Sequence, residues 1–144
     1  MRKVFAALCL LAIAGVTWAA DGDERAATLR VTVENLKNAK GQVVIALFAN
    51  KQDYLKKPVG EAAVGISEEL MSETEFRDLP AGTYAIAAYH DKNKNGDLDT
   101  FLVVPREDYG FSNDARSPFG PPSFKSAAFE FDATEDLHIT IRSK

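Results

Sequence analysis

The sequence predicts an all-β fold: antiparallel sheets stacked as a β-sandwich of about seven short strands, with one long irregular loop. Three observations carry that reading. Apolar residues recur with a period of two, most plainly at Leu29, Val31 and Val33 between Thr28, Arg30, Thr32 and Glu34, the mark of a strand with one dry and one wet face. Gly, Pro, Asn and Asp interrupt the apolar runs at short intervals, which suits turns between short strands. No segment sustains the i, i+3, i+4 spacing of a long amphipathic helix. At 144 residues, 46% apolar and 26% charged, the chain has the size and composition of one globular domain.

In chain order, residues 1–19 read as a secretory signal peptide. Arg2 and Lys3 precede an apolar run from Val4 to Val16, and Thr17 and Ala19 put small residues at −3 and −1 of a cut after Ala19. That run falls short of the roughly 20 apolar residues a membrane-spanning helix needs. The expected location is therefore periplasmic or extracellular, with no membrane insertion after signal cleavage and a single domain over residues 20–144. Beyond residue 19 there are 15 basic and 21 acidic residues, a net charge of −6, and no cysteine. The charge argues against nucleic acid, whose phosphates are met by clustered Lys and Arg. The missing cysteines leave stability to the hydrophobic core, with a metal as the available aid.

The first strand, Leu29 to Glu34, is expected to form a hairpin with Val43 to Phe48 through the turn-rich Asn35 to Gly41. Val43 to Phe48 is apolar on both faces, as a central strand can be. Asn50 to Lys56 reads as a short helical turn capped by Asn50 and stopped before Pro58. Ala62 to Leu70 and Ser72 to Leu79 are weaker strands, Thr83 to His90 is a stronger one, and Ala127 to Phe131 and Leu137 to Ile141 close the domain. In Phe76-x-x-Leu79-Pro80-x-Gly82-x-Tyr84 a strand ends, Pro and Gly turn the chain, and the Tyr ring can enter the core while its hydroxyl meets corner backbone. This run resembles the corner of transthyretin-like and carboxypeptidase-regulatory-like sandwiches, so an Ig-like or transthyretin-like architecture is the one implied.

Asp91-Lys92-Asn93-Lys94-Asn95-Gly96-Asp97-Leu98-Asp99 puts oxygen-bearing side chains at positions 1, 3, 5, 7 and 9, with Gly at 6. That is the spacing of the first nine positions of an EF-hand-type loop, in which hard oxygen ligands converge on Ca²⁺ and Gly permits the sharp reversal. Asp91, Asn93, Asn95, Asp97 and Asp99 are thus the candidate metal ligands, Asp97 through its carbonyl, and Ca²⁺ in a weak structural site is the expected cofactor. Position 12 is Leu102 rather than a bidentate Glu, with Glu107 and Asp108 the nearest acidic substitutes, and the preceding element is a strand. The alternative is a metal-free turn, which Asp, Asn and Gly favour for their own reasons.

Pro105 to Phe124 shows no regular period and forms the long loop. Its aromatic residues Tyr109, Phe111, Phe119 and Phe124 either present a platform to a sugar or peptide or fold back as a satellite cluster. Arg106, Arg116 and Lys125 either hold an anion or balance Glu107, Asp108 and Asp114. The catalytic search is mostly negative: there is no His-Glu-x-x-His, no Gly-x-Ser-x-Gly, no phosphate-cradling glycine loop and no dinucleotide fingerprint. His90, beside Asp91, is either an acid-base group or a ring that shields the loop.

The run Phe76 to Asp99, with Pro105-x-Glu107-x-Tyr109-Gly110-Phe111-Ser112-Asn113 and Pro122-Ser123-Phe124, resembles the secreted bacterial family catalogued as domain of unknown function 2141. The resemblance takes in Leu29 to Phe48 as well. It implies a small exported β-sandwich with no assigned activity. Two functional classes follow from the residues: a non-catalytic module that binds an envelope protein, peptide or glycan beside a calcium loop, or a small periplasmic hydrolase or lyase using His90 and a loop carboxylate. The negative motif search favours the first.

Overall fold

The computed structural model describes residues 27–98, 100–101, 104–134 and 136–143. The signal-peptide reading and Asp99 therefore lie outside the described residues. The chain is predominantly β. Its strands are β1 (Leu29–Glu34), β2 (Gln42–Phe48), β3 (Gly60–Val64), β4 (Ser72–Phe76), β5 (Gly82–Asp91), β6 (Thr100–Phe101), β7 (Val104–Pro105), β8 (Tyr109–Phe111), β9 (Phe129–Phe131) and β10 (Leu137–Arg142). One short helix, α1 (Phe124–Ala127), follows a 3-10 turn at Ser112–Asp114. Ten strands are described against the seven or so expected, because four of them are pieces of only two or three residues.

The strands form two open sheets, β10-β1-β4 and β3-β2-β5-β8, with β9 added to β5, and a separate β6-β7 pair. Leu29, Val31, Val33 and Ile141 from the first sheet and Val43, Ile45, Leu47, Tyr84, Ile86 and Ala88 from the second join one apolar cluster. Leu29, Val31, Ile45, Leu47, Ile86 and Ile141 have no exposed surface, and each such side chain contributes about 1.5–3 kcal/mol by leaving water. The opposite face of β2 and β5 is covered too. Ala85, Phe111 and Ala127 form a second cluster with Tyr54 and Phe124 packed against it, and Phe48 meets the Tyr54 ring edge-on at 5.4 Å. Covering on both sides explains why β2 is apolar at every position from Val43 to Phe48.

The expected hairpin between the first two strands does not form. β1 pairs with β10 and β4, whereas β2 pairs with β3 and β5. The connection is built to change sheets: Asn35 takes φ 65°, its Nδ2 donates to the Ser143 carbonyl at 2.8 Å, and Leu36 is buried in the main cluster, where a hairpin tip would leave it in water. Nor are the sheets wholly antiparallel, since β1 and β10 run parallel with Val31 opposite Ile139 and Val33 opposite Ile141. Alternation identifies a strand's dry face but carries no direction, so the sequence pattern fits either sense.

Other segments differ in extent. The strand expected over Ala62 to Leu70 stops at Val64, and the chain then turns through Ser67, whose N–H meets the Met71 carbonyl at 2.8 Å. The turn after Asn50 has its capping bond, Asp53 N–H to Asn50 Oδ1 at 2.9 Å, without becoming a helix. Ala127, expected in a strand, ends α1, which Ser123 caps by accepting the Ser126 N–H. The long loop contains β8 and the 3-10 turn. The corner behaves as its chemistry requires: Tyr84 is 4% exposed and its hydroxyl donates to the Pro80 carbonyl at 2.7 Å.

Candidate functional site

At the C-terminal end of β5 the chain leaves the sheet through His90 and Asp91, both fully buried. The Asp91 carboxylate accepts from Gln42 Nε2 at 2.8 Å, the Asn95 N–H at 3.1 Å and the Gly96 N–H at 2.9 Å. The next two candidate positions repeat the pattern one step on. Asn93 Oδ1 accepts the Asn95 N–H at 3.1 Å and Asn95 Oδ1 accepts the Asp97 N–H at 3.0 Å. Asn93 and Asn95, both exposed, thus each close a local turn with the N–H two residues on, while the buried Asp91 carboxylate caps the loop from the sheet side. Gly96 takes φ 80°, the left-handed conformation that costs glycine nothing. Asp97 is exposed.

Neighbouring strands hold this loop from several sides. The Tyr89 hydroxyl donates to the Gly96 carbonyl at 2.5 Å. Its pKa is pushed up to about 12, first by burial and then by Glu61, Asp91, Asp97 and Glu107, so four carboxylates act on one phenol. Glu107 Oε1 accepts the Lys92 N–H at 2.8 Å. Asp108 is committed elsewhere, to Lys37 at 2.5 Å and Lys92 at 3.5 Å. Burial pushes both the Asp91 and the Asp108 carboxyl up, but donors reverse the sign: Gln42 and the loop N–H groups bring Asp91 below its ordinary value, and Lys37 and Lys92 do so for Asp108.

The β1–β2 connection is pressed onto the same place. A Cβ on Gly41 would sit 2.1 Å from the Asp91 carbonyl and 2.6 Å from Lys92 Cα, so only glycine fits. His90 Nε2 lies 2.6 Å from the Lys40 carbonyl, which can only accept, so Nε2 carries the proton. Nδ1 is buried with no hydrogen-bond partner among the described residues. Gln42, Tyr89 and the Lys40-Gly41 turn are the contributors that sequence spacing did not reveal. Among the described residues, no group of three or more His, Cys, Asp or Glu side chains is placed to hold a metal. The predicted set leans instead on two asparagines and on Asp99.

The aromatic residues of the long loop divide. Phe111 is 8% exposed and Phe124 packs on Tyr54 with ring centroids 5.6 Å apart, both in the cluster behind β5. Tyr109 is 36% and Phe119 92% exposed. Between β8 and the 115–122 segment lies a cleft of about 130 Å³ that includes Tyr109, Arg116, Ser117 and Gly120. The segment is anchored behind by Ser112, which is fully buried. Ser112 Oγ accepts the Ile86 N–H at 2.9 Å and donates to the Ala127 carbonyl at 2.5 Å.

The model of the DUF2141 family, described as an uncharacterized protein conserved in bacteria, matches residues 31–139, and the chain belongs to that family. No curated protein and no solved structure matches the chain.

Proposed function

We propose that this member of an uncharacterised bacterial family is an exported, non-catalytic β-sandwich module that binds a protein, peptide or glycan of the cell envelope and is stiffened by a weak structural calcium loop. The two sheets sharing one apolar cluster support a sandwich of transthyretin-like or Ig-like type. The export reading rests on the basic, apolar and small-residue sequence of residues 1–19.

One observation carries the calcium reading. The side-chain oxygens of Asp91, Asn93 and Asn95 each accept a backbone N–H of the Asp91–Asp97 loop, with glycine at the sixth position and four carboxylates near enough to act on Tyr89. Hard oxygen donors in a negative field suit Ca²⁺, which accepts irregular geometry, more than Mg²⁺, which holds its waters. Such an ion would relieve the repulsion among Glu61, Asp91, Asp97 and Glu107 and pin the loop to β5.

Two features weigh against the hydrolase or lyase reading. A general base must reach the proton it removes, and the His90 ring has no exposed surface and spends Nε2 on Lys40. Ser112, in the long loop, spends its hydroxyl on backbone. The test is a thermal melt of chelator-treated protein with and without millimolar Ca²⁺. The melting temperature should rise, Asp91→Ala should abolish the rise, and Asp97→Ala, which keeps its carbonyl, should retain it. An unchanged melt in the parent defeats the calcium reading.

A further inference from the structure

We propose that Asn95-Gly96, in the loop that follows β5, is a site of spontaneous deamidation, and that the Asp91 carboxylate holds the reaction in check by binding the main-chain amide that would attack. This goes beyond the calcium reading and does not depend on it; the melt described above tests that reading separately.

The chemistry is a ring closure within the chain. The Gly96 main-chain nitrogen bonds to Asn95 Cγ and gives up its proton, the bond from Cγ to the side-chain nitrogen breaks, and ammonia leaves with that proton. Water then opens the succinimide at either carbonyl, giving aspartate or isoaspartate. Ammonia out and water in balance the sequence, and no oxidant or reductant takes part. Glycine suits the attacking position because it has no side chain to crowd the five-membered ring and its backbone turns freely. Of the chain's six asparagines, Asn95 alone is followed by glycine.

The fold supplies both access and restraint. Asn95 and Gly96 are exposed, and beyond its chain neighbours nothing lies within 4 Å of where a Gly96 Cβ would stand, so water reaches the reacting groups. Both groups are nevertheless committed: the Gly96 N–H donates to Asp91 Oδ2 at 2.9 Å, and Asn95 Oδ1 accepts the Asp97 N–H at 3.0 Å. The acceptor is itself held, because Asp91 is fully buried and bonded to Gln42 Nε2 at 2.8 Å. From the other side the Tyr89 hydroxyl donates to the Gly96 carbonyl at 2.5 Å. The Gly96 nitrogen must leave Asp91 to reach Asn95 Cγ, so reaction waits on local opening and its rate follows the population of the open loop. Asn93 is an internal control. It is exposed and accepts the Asn95 N–H at 3.1 Å in the same manner, but lysine follows it. Either product adds a negative charge, and isoaspartate also lengthens the main chain by one methylene, which carries the Gly96 N–H away from Asp91.

The experiment is incubation of the folded chain for days at neutral pH, followed by peptide mapping with mass spectrometry to score Asn95 and Asn93, against the same chain unfolded in urea. Asn95 should convert to aspartate and isoaspartate in the folded parent, about thirtyfold or more slowly than in urea because several bonds hold the loop, while Asn93 keeps its amide. Asp91→Asn removes the bond to the Gly96 N–H, and conversion of Asn95 should quicken by about fivefold or more, as the loss of one bond to a charged acceptor requires. Tyr89→Phe keeps its ring, releases the Gly96 carbonyl and should quicken conversion as well, so the test does not hang on Asp91→Asn folding normally. Four results would overturn the proposal: no conversion of Asn95 in the folded parent, conversion as fast in the folded chain as in urea, conversion of Asn93 ahead of Asn95, or an unchanged rate in the variants that fold.

Discussion

Replacing Asp91 by Asn isolates the residue on which the β5 loop is organised. The carboxylate accepts from Gln42 Nε2, Asn95 N–H and Gly96 N–H at 2.8, 3.1 and 2.9 Å. Asparagine keeps one oxygen and points an NH₂ group at donors. If its oxygen stays on Asn95, the Gly96 bond is lost, while Gln42 can rotate its amide and accept from the new NH₂. A hydrogen bond to a charged group contributes about 1.5–3 kcal/mol. Removing a buried charge returns part of that cost, because burial opposes the ionised form. The expected net loss is about 1–3 kcal/mol, present even in chelator, since it arises from the loop's own N–H groups. Urea unfolding followed by far-UV circular dichroism measures it, with Asp97→Asn, at an exposed position, as the control expected within about 0.5 kcal/mol of the parent. Asp91→Asn within that same margin would refute the view that this carboxylate holds the loop.

Three further outcomes are expected. Ser112→Ala leaves the Ile86 N–H and the Ala127 carbonyl without their buried partner, so stability to urea should fall by about 2–4 kcal/mol; a loss under about 1 kcal/mol would show that other contacts fix the 3-10 turn. Gly110→Ala drives a Cβ to 2.6 Å from Ile141 Cγ2 and 2.8 Å from the Arg142 carbonyl, and a melt should show about 1–3 kcal/mol of destabilisation from overpacking. Asp91 and Asp108 are both held below their ordinary values, so the stability they contribute is complete above the unfolded carboxyl value near ~3.9 and is lost as pH falls through the lower folded values. Acid titration of the melting temperature should therefore show a steep loss below about pH 4 that Asp108→Asn makes shallower; an unchanged slope contradicts the pairing with Lys37 and Lys92.

Much of the fold was legible where one residue carries its own reason. The alternation of Leu29, Val31 and Val33 located β1 and its dry face, the continuous apolar run located β2, and Pro80-Ala81-Gly82 before Tyr84 located a corner whose hydroxyl bond is local in sequence. What did not show was partnership. Nothing in the pattern of β1 tells that its neighbour is β10, more than a hundred positions on and parallel, because period two is blind to register and direction. The loop repeats the lesson. The spacing of Asp91, Asn93, Asn95 and Gly96 was readable, since those bonds span two to five residues. Gln42 and the Lys40-Gly41 turn reach it only through pairing of β2 with β5, and no sequence signal marks them.

Calcium binding by the β5 loop is the central claim to test. Isothermal titration of CaCl₂ into chelator-stripped protein reads this directly, with MgCl₂ as the parallel arm. One site per chain is expected, with a dissociation constant on the order of 10⁻⁴–10⁻³ M for Ca²⁺, weaker binding of Mg²⁺, and no calcium heat in Asp91→Ala. The absence of calcium heat in the folded parent at concentrations well above that range would contradict it.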